Sequence, residues 1–357
     1  MIRVLVAEDS KTLQELLVWT LNADPQITVV GVASDGRQAV AMTRELKPDV
    51  ITMDVNMPLM NGFEATRQIM SEQPTPIIIV TGSIDVREVS AAMTALQAGA
   101  LALLEKPVTA DRDEFGQGAR QLIRQVKAMA GMKLVRQRPN GHAPQLAEAL
   151  LTRLPELDEP FSVVAIAAST GGPAALSKVF GQLPVDFPLP LLVVQHIAPG
   201  FIEGFAAWLD SQVAIHVKLA VDGERLQPGT VYLSPEDRHL GVAGKQRIAL
   251  SSTPPLAGFR PSASHLFESV ARTFGSRTLG VVMTGMGSDG LDGARTLHAA
   301  GGTLFVQDES SSVVYGMPRV IHEAGLASLT LPLSQIAPAM IRLVMKQLQK
   351  KQAQGEQ

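Results

Sequence analysis

Short apolar runs alternate with amphipathic stretches along the first third of the chain. Ile2–Ala7, Thr28–Ala33, Val50–Asp54, Ile77–Thr81 and Ala100–Leu104 are apolar enough for strands buried on both faces. Between them, Leu13–Leu21, Gly36–Leu46, Gly62–Met70, Val86–Ala98 and Asp113–Lys127 carry apolar residues at three- and four-residue spacing, the period of a helix with one buried stripe. Five strand–helix repeats predict an α/β fold whose parallel sheet is covered on both faces. The period then stops. The stretch KLVRQRPNGHAPQ is polar and rich in turn formers, the composition of a linker, with Leu146–Leu154 able to add a helical turn or two. A second series begins at Phe161 (FSVVAIAAS). Its other strands are Leu191–Gln195, Val231–Ser234, Thr278–Met283 and Thr303–Gln307, and its helices are Pro173–Gly181, Phe201–Gln212, Ser262–Phe274 and Asp289–Ala300. Turn signals at Gly229, Pro235 and Gly244 predict short strands or a hairpin over Gly223–Leu250, and Leu333–Lys351 reads as a closing helix. The pattern predicts two doubly wound α/β domains.

Composition narrows the classes. Of 357 residues 46% are hydrophobic and 18% charged, too apolar a chain to stay disordered. Residues 1–125 carry 11 basic and 16 acidic groups, and the remainder 20 basic and 18 acidic, so the first domain is the acidic one at −5 and the rest sits at +2. No Lys/Arg cluster accompanies that balance, which argues against nucleic acid as a partner. The absence of cysteine excludes disulfides and thiolate metal sites and is compatible with a reducing compartment. The longest apolar runs fall far short of the ~20 residues that cross a bilayer, and an acidic pair stands where a signal peptide would continue its apolar region. The expectation is a cytoplasmic protein without membrane insertion.

Ligand sites in parallel sheets form beyond the carboxyl ends of the strands. Glu8 and Asp9 end the first predicted strand, Asp54 the third and Thr81 the fourth, while Lys106 lies just past the fifth. Three carboxylates at one edge repel unless a hard cation lies between them, and Mg²⁺ takes carboxylates together with water and phosphate oxygens. A cation beside a carboxylate, with a lysine and a hydroxyl nearby, is what phosphoryl transfer to that carboxylate requires. Any one of these acidic residues alone is more often a solvated strand end. Together AEDS, MDVNMPLMNG, VTGS and EKP resemble the receiver domain of two-component response regulators. The resemblance implies phosphorylation at Asp54, with support from Thr81 and Lys106. It also implies Mg²⁺ held by Glu8, Asp9, Asp54 and the backbone carbonyl of Asn56. One position departs: receivers usually carry an aromatic switch residue where this chain has Leu103.

The second series offers another strand-end set. In AIAASTGGP, Ser169 follows a strand and precedes a turn into a helix, with Pro173 suited to the first helical position. That geometry fits a phosphate cradle, a nucleophile beside an oxyanion site, or a plain capping turn. His196 follows the next strand in VVQHIAPGF, and Asp289 lies in VVMTGMGSDG after another. A lone histidine there is more often structural, and a lone SDG is an ordinary helix N-cap. The three on neighbouring strand ends can meet as nucleophile, general base and orienting carboxylate. The chain order Ser, His, Asp and the lack of G-x-S-x-G argue against an ordinary lipase or esterase.

The motifs AASTGGP, QHIAPGF, DGERLQPGTVYLSPEDRH, RPSASHLF, TGMGSDG and QDESSSVVYGMP, behind a receiver, resemble the protein-glutamate methylesterases of bacterial chemotaxis, the CheB family. The resemblance implies a receiver over 1–125, a linker over 126–160 and a catalytic domain over 161–350. It further implies hydrolysis of glutamyl methyl esters, with deamidation of glutamines, on methyl-accepting chemoreceptors. Ser169, His196 and Asp289 would form the triad and the Met286 N–H an oxyanion donor, with no cofactor in the hydrolysis. A chemotaxis-type histidine kinase would be the phosphodonor, and the unphosphorylated receiver would cover the catalytic face. Two positions depart from the family's usual pattern, Ala167 where Gly is common and Ser264 where Asp is common. A DNA-binding response regulator, the main rival reading, would need a basic helix that this chain lacks.

Overall fold

The computed structural model describes residues 1–82, 86–107, 112–131, 159–244 and 246–355. The predicted linker stretch and Leu146–Leu154 lie outside them, as does most of the linker expected over 126–160. The chain divides into two compact units, Met1–Arg136 and Gln137–Gln357.

The first unit runs β1 (Ile2–Ala7), α1 (Lys11–Asn22), β2 (Ile27–Ala33), α2 (Gly36–Leu46), β3 (Val50–Met53), α3 (Gly62–Glu72), β4 (Ile77–Thr81), α4 (Val86–Gln97), β5 (Ala102–Glu105) and α5 (Arg112–Met129). Its sheet has the order β2-β1-β3-β4-β5, all pairs parallel. β3 and β4 are buried throughout, which is why they read as unbroken apolar runs. The order reverses between β1 and β3, and at such a switch point the connections leave to opposite faces and open a crevice. Asp54, expected to end β3, lies one residue past it.

The second unit continues with β6 (Val163–Ala168), α6 (Gly172–Phe180), β7 (Leu191–Gln195), α7 (Ile202–Gln212), β8 (His216–Leu219), β9 (Thr230–Leu233), β10 (His239–Ala243) and β11 (Arg247–Ser251). It ends with α8 (Ala263–Phe274), β12 (Thr278–Val282), α9 (Leu291–Ala299), β13 (Thr303–Gln307), α10 (Met317–Glu323), β14 (Leu329–Leu331) and α11 (Leu333–Gly355). Seven parallel strands form a sheet in the order β14-β13-β12-β6-β7-β9-β8, and β10 with β11 forms the expected antiparallel hairpin. β6 sits at the switch point: the chain winds outward through β7 to β8, then returns to its other side at β12. One core face gathers Val163, Ala165 and Ala167 of β6 with Leu266, Phe267 and Val270 of α8, all fully buried. Both units therefore have the α/β architecture that the hydrophobic pattern predicts. β8, α10 and β14 were not predicted; they are seven residues or fewer, and β8 and β14 sit on sheet edges with broken apolar patterns.

Candidate active site

The carboxyl ends of β7, β6 and β12 meet at the switch point of the larger sheet. Ser169 directly follows β6, and its N–H donates to the Thr284 carbonyl beyond β12 at 3.0 Å. The His196 N–H donates to the Ala168 carbonyl at 3.0 Å, so the two residues leave neighbouring strands side by side. Buried Gln195 ties them: its Nε2 donates to the Ser169 carbonyl at 2.9 Å and to the His196 carbonyl at 2.7 Å. Two glycines make room for these approaches. A Cβ on Gly172 would overlap Gln195 Oε1, and one on Gly285 would fall 2.7 Å from Ser169 Cβ.

Asp289 is buried and reaches the histidine, its Oδ2 lying 3.0 Å from His196 Nε2. The approach is bent away from the line of the ring N–H, so its value is mainly electrostatic. His196 Nδ1 makes no hydrogen bond among the described residues. The ring stacks on Phe259 with centroids 4.6 Å apart and planes 18° from parallel, fixing its tilt. Beside it lies a cleft of about 350 Å³ lined by Ile197, Pro199, Ile202, Pro235, Phe259 and Arg260, among others.

The expectation that α9 would begin at Asp289 needs correction. The helix begins at Leu291 behind Gly290, and the Asp289 carboxylate serves a different helix. It accepts from Ser262 Oγ (2.9 Å), Ala263 N–H (2.7 Å) and Ser264 N–H (3.2 Å), the start of α8, and from its neighbour Gly290 N–H (2.8 Å). Burial alone would raise its pKa. The His196 ring and the α8 donors outweigh burial and hold it down to about 2, so Asp289 is ionised at neutral pH. Departure position Ser264 belongs to the same arrangement, its Oγ accepting from Gly290 N–H at 2.9 Å, while Ala167 is wholly buried in β6. The N–H groups of Thr170, Gly171 and Met286 find no acceptor among the described residues, which leaves them available to an oxyanion beside Ser169.

The smaller sheet carries a second cluster at its own switch point. Oxygens of Glu8, Asp9 and Asp54 lie within 4.8 Å of one another. Lys106 Nζ approaches Glu8 Oε2 at 2.8 Å and Asp54 Oδ2 at 3.0 Å. Burial pushes both carboxyls up, and for Glu8 the charge of Asp54 adds to it, although Lys106 pulls each the other way. The same pair outweighs burial at Lys106 and pushes its pKa up. Two buried carboxylates that one ammonium does not fully compensate, with exposed Asp9 beside them, form a donor set suited to a hard divalent cation. Thr81 is buried at the end of β4, and its carbonyl accepts the Lys106 N–H at 2.8 Å. Asn56 stands on the exposed loop after Asp54, and its backbone N–H bonds that carboxylate. Leu103 is buried in β5.

Sequence reasoning missed Gln195, Phe259 and Ser262 as parts of the hydrolytic site. The first stood in view in VVQHIAPGF, but nothing in its spacing says that one amide spans two carbonyls.

Comparison with known proteins agrees with both halves. The sequence model for the CheB methylesterase matches residues 164–340, and that for the response regulator receiver domain matches residues 4–114. A protein-glutamate methylesterase/protein-glutamine glutaminase of Myxococcus xanthus is 51% identical over 336 residues, covering 94% of this chain and 95% of that protein. One of the same name from Nitrosospira multiformis is 44% identical over 349 residues, covering 96% and 97%. The crystal structure of the Thermotoga maritima CheB methylesterase catalytic domain is 38% identical, with a TM-score of 0.50 over 52% of this chain and 99% of that one. On this evidence the chain belongs to the CheB methylesterase family.

Proposed function

We propose that the protein is a phosphorylation-regulated protein-glutamate methylesterase with protein-glutamine glutaminase activity, acting on methylated chemoreceptors. The observation that carries the hydrolytic reading is the ionised Asp289 set against His196 Nε2, on the strand end that Gln195 ties to Ser169. An anion at Nε2 favours the proton there and leaves the lone pair on Nδ1. Nδ1 is then the base: it takes the Ser169 proton as the hydroxyl attacks the ester carbonyl. The N–H groups of Met286, Thr170 and Gly171 receive the oxyanion, at about 3–4 kcal/mol per donor in such sites. The protonated ring, stabilised by Asp289, passes its proton to the departing methoxide and methanol leaves. His196 then activates water to free the glutamate. A glutamine side chain follows the same route with ammonia as the leaving group.

The regulatory part is proposed over 1–125 and the hydrolytic part over 161–350, bounds that enclose both matched stretches. Asp54 accepts the phosphoryl group, with a chemotaxis-type histidine kinase as its donor. Glu8, Asp9 and Asp54, with the Asn56 carbonyl, would hold Mg²⁺, which when bound offsets charge on the transferring phosphoryl oxygens. Lys106, whose Nζ lies 3.0 Å from Asp54 Oδ2, and Thr81 would steady the phosphorylated carboxylate. Among the described residues no helix is long and apolar enough to cross a membrane, and we place the protein in the cytoplasm with the receptor helices it acts on.

Ser169→Ala tests the reading. It should abolish methanol release from methylated receptor membranes while far-UV circular dichroism stays unchanged, since one hydroxyl in a turn adds little to stability. Hydrolysis within a few-fold of wild type would place the nucleophile elsewhere.

A further inference from the structure

His239 is wholly buried at the start of β10 and takes no part in the steps above. Its Nε2 lies 3.2 Å from the Pro254 carbonyl, and its Nδ1 lies 3.2 Å from the Ser262 N–H. A carbonyl can only accept and an N–H can only donate. The ring is therefore neutral, with its proton on Nε2 and its lone pair on Nδ1. The ring of His265, in the first turn of α8, stacks on it with centroids 4.7 Å apart. Burial, with the charge of Arg272 adding to it, pushes the His265 pKa down.

The residue that His239 grips is the one that grips Asp289. Ser262 caps α8 and donates its hydroxyl to Asp289 Oδ1 at 2.9 Å, and the next N–H, from Ala263, donates to Oδ2 at 2.7 Å. A line of contacts thus runs from the hairpin through His239, Ser262 and Asp289 to His196. An apolar side chain would fill this core position without the desolvation that a buried imidazole costs, so packing alone does not call for histidine. We propose that His239 is a positioning residue for the hydrolysis: by holding the Ser262 backbone it sets the start of α8, and with it the orientation of the Asp289 carboxylate toward His196. The inference rests on the reading of Ser169, His196 and Asp289 as the reacting set.

The test uses the full-length protein and methanol release from methylated receptor membranes, measured as kcat and KM across pH. His239→Phe keeps a flat ring and removes the acceptor. It should lower kcat about tenfold, the scale of one lost hydrogen bond in a charged buried network, and leave KM within about twofold. The acid-side limb of its kcat profile, which reports protonation of the base, should move to lower pH because a misdirected Asp289 supports the charged ring less well. His239→Asn puts an oxygen near the place of Nδ1 and should keep most of the activity, whereas His239→Gln reaches the place of Nε2 and should not. If the Phe variant fails to fold, the Asn and Gln pair decides alone. His239→Phe and Ser262→Ala together should cost less than the product of their separate effects, since both act on one carboxylate. An active Phe variant with wild-type kcat overturns the inference, as does a loss with an unmoved limb, or Asn and Gln variants of equal activity. A wild type that releases no methanol overturns the reading of the site, and the inference falls with it.

Discussion

A single carboxylate shows how much of the site is electrostatic. Asp289 has four donors besides the histidine, more than orienting an imidazole requires. The surplus keeps a buried anion ionised beside the His196 ring. It has a consequence for stability. An aspartate whose pKa falls from the ordinary value near 4 to about 2 on folding stabilises the fold above pH 4, and that stabilisation is lost as pH falls through the interval. Asp289→Asn should therefore be less stable than wild type near neutrality. The gap should narrow by about 1 kcal/mol between roughly pH 5 and pH 3, as the linkage relation gives for such a shift. Urea unfolding of both proteins across that range measures it, and a gap that stays constant would mean that the carboxylate is not held in its charged form.

At the scale of elements, both sites lie where strand order reverses, one at β1 and β3 and the other at β12, β6 and β7. Those ends were legible because the strands leading to them are apolar on both faces. Ile2–Ala7, Ile77–Thr81, Leu191–Gln195 and Thr303–Gln307 have the bounds their composition predicts. The polar residue that breaks each run then marks the sheet edge, as Ser169 and His196 do. What was not legible depends on contacts distant in sequence. SDG looks like the cap of its own helix, and only the fold shows that Asp289 serves a helix beginning 26 residues earlier. β14, three residues long, has too few positions to show a period. The strand-end cluster in the smaller sheet makes a further prediction. Because burial raises Glu8 and Asp54, a divalent cation that compensates them should stabilise the first unit by mass action. Mg²⁺ should raise its melting temperature in a concentration-dependent way, and Asp9→Asn should weaken that dependence. Equal shifts in wild type and variant would assign the cation to another site.

Over the whole molecule, two α/β units of unlike chemistry share one chain, a carboxylate cluster suited to phosphoryl transfer and a serine–histidine–aspartate set suited to acyl transfer. Each set is built from residues of its own unit, so substitution should separate the two functions. The central claim is that phosphorylation of the first controls hydrolysis by the second. Methanol release from methylated receptor membranes by the full-length protein, with and without a small-molecule phosphodonor and Mg²⁺, tests it most directly. The account predicts that wild-type release rises when the phosphodonor is added. In Asp54→Asn basal release should remain and the rise should vanish, and chelating Mg²⁺ should remove the rise from the wild type. A phosphodonor-dependent rise that survives in Asp54→Asn, or wild-type release indifferent to the phosphodonor, would contradict it.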